Sequence, residues 1–249
     1  MEKPYNALFL DLDGVLFVGE KPVPGAAQAV RRAREAGLTL RFLTNTATQS
    51  RRALIDKLAA MDIQIEEEEL YTAPIAAKHY VREHGLRPFC LIHPDIRGDM
   101  AGLDETDPNC VLLGDARDDL NYRNLNRAFQ LCIEGATLIG IGMNRYFQSD
   151  EGLMLDAGPF IRAIEWAADT RALIMGKPGG SFFQQVVAST PFSADECLMV
   201  GDDVFSDVEG AIHAGLRGCL VRTGKYRDGD EAHLPEDAAV VDSIVSLFT

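Results

Sequence analysis

The 249-residue chain is poor in the features that would place it outside the cell, in a membrane or on nucleic acid. Its five cysteines (Cys90, Cys110, Cys132, Cys197, Cys219) are odd in number, scattered, and form no C-x-x-C pair. That pattern argues against a disulfide framework and a structural zinc site, and fits a reducing cytoplasm. Positive charge is also short: 24 Lys and Arg stand against 38 Asp and Glu, for a net charge of −14. Nucleic-acid binding needs Lys and Arg to displace condensed counterions, so neither nucleic acid nor an anionic membrane surface is an expected partner. Long apolar runs are missing as well. The N-terminal "MEKPYNALFLDLD" has only a few consecutive apolar residues before its carboxylates, which predicts neither a signal peptide nor a membrane-spanning helix. The five histidines (His79, His84, His93, His213, His233) share no metal-ligand spacing, and no internal repeat or low-complexity segment appears.

What is present is ordinary globular material, 47% hydrophobic and 25% charged, in a length that suits one large domain or two smaller ones. "NALFLD" (6–11) reads as a buried strand, "PGAAQAVRRAREAG" (24–37) as a helix with proline at its start and glycine at its end, and "LTLRFLTN" (38–45) as the next strand. "SRRALIDKLAAM" (50–61) follows as a helix. Toward the C-terminus, strand "ECLMVGDD" (196–203), helix "DVEGAIHAG" (207–215), strand "RGCLVRTG" (217–224) and a final helical "VDSIVSLF" (241–248) repeat the alternation. Between them lie apolar "FCLIH" (89–93), "CVLLGD" (110–115) and "ATLIGIG" (136–142), with helical "YRNLNRAFQLCIEG" (122–135). Alternating strands and helices predict an α/β fold with a parallel sheet. The organisation predicted is a core domain from 1–73 and 174–249 interrupted by a second α/β domain at 74–173. The run Glu66 to Glu69 is read as a solvated loop or helix start, and Trp166 as part of a packing face of "PFIRAIEWAAD".

Three strands end in chemistry: "FLDLDG", "FLTNT" and "MVGDD". Ligands bind beyond the carboxyl ends of strands in open parallel sheets. Alternation puts Asp11 and Asp13 on one side of an extended backbone, and Asp202 approaches from a neighbouring strand with Asp203 and Asp207 close behind. So many carboxylates in one crevice repel one another unless a cation joins them, and hard oxygen ligands select Mg²⁺. Mg²⁺ commonly combines one or two carboxylates with a substrate phosphate, so a small phosphorylated substrate is expected. Thr44 and Asn45 offer donors to a phosphate, and Lys177 in "MGKPGG" a fixed cation. An ionised aspartate can attack phosphorus to form an aspartyl-phosphate. A second carboxylate can protonate the leaving oxygen and later deprotonate water.

Together these residues resemble the haloacid dehalogenase superfamily of phosphohydrolases: "DLDGVL", "LTN", "GKP" and "GDDVFSD" match its four signatures in order. An insertion between the second and third signatures resembles the type IIA capped subgroup, which implies a Rossmann-like three-layer core with an α/β cap. "GLMLDAGPFIRAIEWAADTRALIMGKPGGSFF" and "GDDVFSDVEGAIHAGLRGCLVRTGKYR" are similar to the branch containing phospholysine phosphohistidine inorganic pyrophosphate phosphatase. The resemblance implies Asp11 as nucleophile, Asp13 as acid/base, Thr44 and Asn45 as phosphoryl ligands and Lys177 as the third-signature lysine. It implies Mg²⁺ on Asp11, Asp202 and the main-chain oxygen of Asp13, with Asp207 acting through water or outer contacts; Asp203 is expected to organise its loop. In the resembling family a loop at "GMNRYFQSDEG" (142–152) faces the catalytic site, which makes Asn144, Arg145 and Tyr146 candidate substrate contacts. Asp13 favours phosphate chemistry over dehalogenation. The alternatives are a phosphoryl-binding sensor without turnover and another chemistry on the same core, such as phosphomutase or dehalogenase action. A cap-to-cap homodimer is compatible with the apolar content of the insertion.

Overall fold

A computed structural model describes residues 5–149 and 152–248. In chain order the first elements are β1 (Ala7–Asp11), β2 (Phe17–Val18), β3 (Lys21–Pro22), α1 (Ala26–Glu35), β4 (Thr39–Thr44), α2 (Arg51–Ala60) and β5 (Leu70–Thr72). Then come α3 (Ala73–Glu83), β6 (Pro88–Leu91), β7 (Cys110–Leu113), α4 (Tyr122–Ile133), β8 (Thr137–Ile141), β9 (Tyr146–Ser149), β10 (Gly152–Leu155), α5 (Ala157–Ala168) and β11 (Leu173–Met175). The last are α6 (Gly180–Ala188), β12 (Cys197–Gly201), α7 (Gly210–His213), β13 (Arg217–Val221) and β14 (Ala239–Val241).

The chain divides into two compact units: Met1–Thr44 with Arg52–Tyr71 and Lys177–Thr249, and Asn45–Arg51 with Thr72–Gly176. In the first, six strands lie in the order β14-β13-β12-β1-β4-β5. The pairings β14–β13, β13–β12, β12–β1 and β1–β4 are parallel. Every residue of β1 is buried, which suits an unbroken apolar run at the centre of a sheet covered on both faces. Helix α1 buries Ala26, Ala29, Val30 and Ala33, a one-sided stripe at helical spacing, and leaves Arg31, Arg32 and Arg34 to solvent. From β1 the chain proceeds to β4 and β5 on one side, and the later strands β12, β13 and β14 fill the other. The reversal falls between β1 and β12, the crevice where open α/β sheets bind ligands.

The second unit has its own four-stranded sheet, order β11-β8-β7-β6, parallel throughout. Leu91, Val111, Leu113, Leu138, Ile161 and Ile164 belong to its core. Both units are α/β, as the alternation of elements in the sequence predicts.

Several local expectations differ from the structure. The polar stretch 142–152 is not a simple loop: β9 and β10 pair antiparallel, Tyr146 opposite Leu155; residues 150 and 151 lie outside the described ones. The final segment is a 3₁₀ helix, Ile244–Phe248, preceded by the unexpected strand β14. Five residues are too few for a stable α-helix, and 3₁₀ geometry is the usual form of so short a piece. Trp166 is 88% exposed rather than packed, because the buried face of α5 is carried by Ala157, Ile161, Ile164 and Glu165, and Trp166 falls one position past it. Glu67–Glu69 form a short 3₁₀ turn in which Glu69 pairs with Arg34 at 2.6 Å.

Candidate active site

Strand β1 delivers Asp11 to the carboxyl edge of the sheet at the topological reversal, and β12, its neighbour there, ends at Gly201, directly before Asp202. On the other flank Asp11 is level with Leu43 of β4, so Thr44 lies one residue beyond it, buried. Asp207 sits inside a π-helical turn, Val204–Glu209, where the Val208 N–H reaches back five residues to the Asp203 carbonyl at 3.3 Å. Such wide turns recur at functional sites. The segment therefore starts earlier than the helix expected from 207. Asp203 holds it in place: its carboxylate accepts the N–H groups of Phe205 and Ser206 at 3.0 and 2.9 Å, the loop-organising part anticipated for it.

Lys177 joins these elements. Its Nζ lies 2.7 Å from Asp11 Oδ1 and 2.6 Å from Asp207 Oδ1, with all three side chains no more than 8% exposed. Asp11 Oδ1 also accepts the Leu12 N–H at 2.8 Å. The carboxylate is thus oriented through one oxygen.

One ammonium does not balance three buried carboxylates, and the deficit shows in the acids. Burial, reinforced by mutual repulsion and only partly opposed by Lys177, raises the Asp11 carboxyl above its ordinary range. Burial likewise pushes Asp202 and Asp207 up to about 6. Burial of Lys177 disfavours its charge, but Asp11 and Asp207 outweigh that and hold the ammonium above the usual lysine range.

Asp11, Asp202 and Asp207 each offer an oxygen within 4.8 Å of the others. Asp202 Oδ2 accepts the Lys225 N–H at 2.7 Å, whereas its Oδ1 is buried with no hydrogen-bond partner among the described residues. A surplus of negative charge, hard oxygen donors and an orphaned carboxylate oxygen fit a small divalent cation of the Mg²⁺ type.

The structure brings together Asp11, Lys177, Asp202 and Asp207. Asp13 is two residues past the end of β1, its side chain exposed, in a bridge with Phe17. The alternation argument does not reach it, because the strand ends at Asp11. Asn45 follows Thr44 in the chain and falls in the second unit, as do Asn144, Arg145 and Tyr146. Those last three are exposed; Arg145 and Tyr146 line a cleft of about 420 Å³ with Met143, Leu155, Pro159 and Arg162. Sequence reasoning missed Gly14 and the Thr223 to Lys225 loop. The same strand-end logic points to that loop, since it follows β13, the neighbour of β12.

Comparison with known proteins gives a consistent result. Residues 8–105 match the family model described as haloacid dehalogenase-like hydrolase, and residues 174–247 match a second model of HAD-hydrolase-like proteins. The rat haloacid dehalogenase-like hydrolase domain-containing protein 2 is 40% identical over 226 residues, covering 91% of this chain and 87% of that protein. The Xenopus laevis phospholysine phosphohistidine inorganic pyrophosphate phosphatase is 42% identical over 241 residues, covering 94% and 89%. Among solved structures, p-nitrophenyl phosphatase from Archaeoglobus fulgidus superposes with a TM-score of 0.88 at 23% identity, covering 98% of each chain, a likeness of fold.

Proposed function

The chain belongs to the haloacid dehalogenase-like hydrolases, and from that premise we propose that it is a Mg²⁺-dependent phosphatase acting on a small phosphorylated molecule through an aspartyl-phosphate on Asp11. The observation that carries this reading is the buried set Asp11, Lys177, Asp202 and Asp207 at the sheet's topological reversal. Asp11, Asp202 and the main-chain oxygen of Asp13 would hold the cation, with Asp207 supporting it through outer contacts, and when bound it would supply neutralising charge to the substrate phosphate.

The rest is the work of the chain's own groups. Lys177 and the Leu12 N–H fix Asp11 through Oδ1, leaving Oδ2 as the attacking oxygen. Thr44 and Asn45 donate to the phosphoryl oxygens. As the bond from Oδ2 to phosphorus forms, the bond from phosphorus to the leaving oxygen breaks, and Asp13 delivers its proton to that oxygen. Asp13 then takes a proton from water, whose oxygen attacks phosphorus; the aspartyl oxygen departs, releasing inorganic phosphate and restoring Asp11. Exposure of Asp13 suits a group that meets substrate and solvent in turn.

For the substrate class, the name of the Xenopus laevis relative supports a phosphoanhydride or phosphoamidate, pyrophosphate among them, with Asn144, Arg145 and Tyr146 as candidate reading residues. The test is hydrolysis of p-nitrophenyl phosphate with MgCl₂ and with EDTA, in wild type and Asp11→Asn, followed by a screen of pyrophosphate, nucleotides, phosphoglycolate and pyridoxal phosphate. Release of inorganic phosphate that needs both Mg²⁺ and Asp11 is the expected outcome. Turnover in EDTA, or in Asp11→Asn at the wild-type rate, refutes the mechanism; transfer of phosphate to a second substrate position points to a mutase.

A further inference from the structure

Two loops close on a single carboxylate. Gly14 follows β1 and Gly224 follows β13, with φ of +90° and +66°, conformations that glycine adopts without strain. A Cβ at Gly14 would stand 1.9 Å from Asp202 Oδ2, and one at Gly224 would stand 2.1 Å from the same oxygen and 2.3 Å from the Gly14 Cα. No side-chain atom fits in that space. The half-buried Thr223 hydroxyl donates to the Gly14 carbonyl oxygen and so ties the loops together. One residue past Gly224, the Lys225 N–H donates to Asp202 Oδ2 at 2.7 Å. Asp202 is 2% exposed, and its other oxygen, Oδ1, has no hydrogen-bond partner among the described residues.

The geometry points to the Thr223 to Lys225 loop as a strap that positions Asp202 for the cation, with Thr223 and Gly224 as positioning residues that set Mg²⁺ affinity. A free aspartate can turn about its last torsion and offer either oxygen or both. The Lys225 N–H removes that freedom by engaging Oδ2, and the glycine contacts hold the carboxylate plane. Oδ1 is thereby left as a single, oriented donor, the one-oxygen contact that Mg²⁺ with its strict octahedral geometry prefers. Outer-shell partners of this kind commonly change metal affinity by 10–100-fold when removed. This inference rests on the reading of the site as a Mg²⁺ site.

The experiment is isothermal titration of MgCl₂ into metal-stripped wild type, Thr223→Val and Thr223→Ser, with melting of each in EDTA. Thr223→Val, close in shape but lacking the hydroxyl, should bind Mg²⁺ about tenfold more weakly or worse. Thr223→Ser, which keeps the donor, should stay within about threefold of wild type on the same scale. In turnover, excess Mg²⁺ should return Thr223→Val to the wild-type kcat, so that the defect lies in the metal concentration required. Should Thr223→Val be unfolded in EDTA, Thr223→Ala supplies the same reading. Wild-type Mg²⁺ affinity in a folded hydroxyl-free variant overturns the strap. Failure of wild type itself to bind Mg²⁺ overturns the metal reading beneath it, a distinct result.

Discussion

Replacing Lys177 by methionine keeps much of the side chain's reach and removes the ammonium that lies 2.7 Å from Asp11 and 2.6 Å from Asp207. Deleting one partner of a buried ion pair costs about 3–5 kcal/mol, because the remaining charge stays buried without compensation. In a chain of this size each kcal/mol corresponds to about 2–4 °C of melting temperature. Lys177→Met in EDTA should therefore melt roughly 6–20 °C below wild type. Three carboxylates without a cation should also gain more from Mg²⁺ than the wild-type set does. Hence MgCl₂ should raise the melting temperature of the variant by more degrees. Adding Asp207→Asn removes a charge of the opposite sign, so the double variant should melt above Lys177→Met alone, a non-additive result expected of direct contact partners. Thermal melts followed by far-UV circular dichroism, in EDTA and in excess MgCl₂, read all of these. A decrease of less than about 2 °C for Lys177→Met in EDTA would refute the charge-compensation argument.

In EDTA, wild-type stability should fall as pH rises from about 4 through 6, because burial raises the folded-state carboxyls of Asp202 and Asp207 to about 6, above their unfolded value of 3.8, and a raised acid favours the folded state only while protonated. Melting temperatures across pH 4 to 8, with ionic strength held constant, check the sign; a rise between pH 4 and 6 contradicts it. Asp13→Asn should slow turnover by about 10²–10⁴-fold, the usual worth of general acid–base catalysis, yet still form the phosphoenzyme from p-nitrophenyl phosphate, whose leaving group needs little protonation. Acid-quenched phosphoenzyme stoichiometry distinguishes this from Asp11→Asn, in which none should form. Burial pushes the thiols of Cys90 and Cys110 up to about 12 and those of Cys132, Cys197 and Cys219 up to about 11. Native protein at pH 8 should therefore react slowly with a disulfide reagent and expose five thiols in denaturant; a thiol that reacts at once in the native state would contradict the burial.

The parts of the site that sequence reasoning reached are those fixed by one rule. Asp11, Thr44 and Asp202 stand at the carboxyl ends of strands whose apolar runs are visible residue by residue, and β1 and β12 are neighbours in the sheet. Lys177 was reached through its motif, since nothing in the local pattern of "MGKPGG" reveals that it is 5% exposed between two aspartates. Short elements escaped: β5 and β14 have three residues each, too few to show a period, and their pairing is set by distant strands. The antiparallel pair β9 and β10 escaped because strands of four residues each are too short to show a period, and the polar residues around β9 read as a loop until cross-strand pairing is known. Thr223, Gly224 and Lys225 escaped for another reason. Their importance lies in contacts with Gly14 and Asp202, which no local window contains.

The position of β1 has a further consequence for how this protein is made. Its strand is completed on one side by β4, soon after it in the chain, and on the other by β12, at Cys197–Gly201. During synthesis the apolar Ala7–Asp11 segment thus presents an open hydrogen-bonding edge until the last fifth of the chain emerges. At common elongation rates that wait is on the order of ten seconds or more. An unpaired apolar edge is a template for aggregation. Chains that stop before residue 197 should therefore collect in inclusion bodies or on chaperones, and premature termination would cost the cell a sticky fragment as well as a hydrolase.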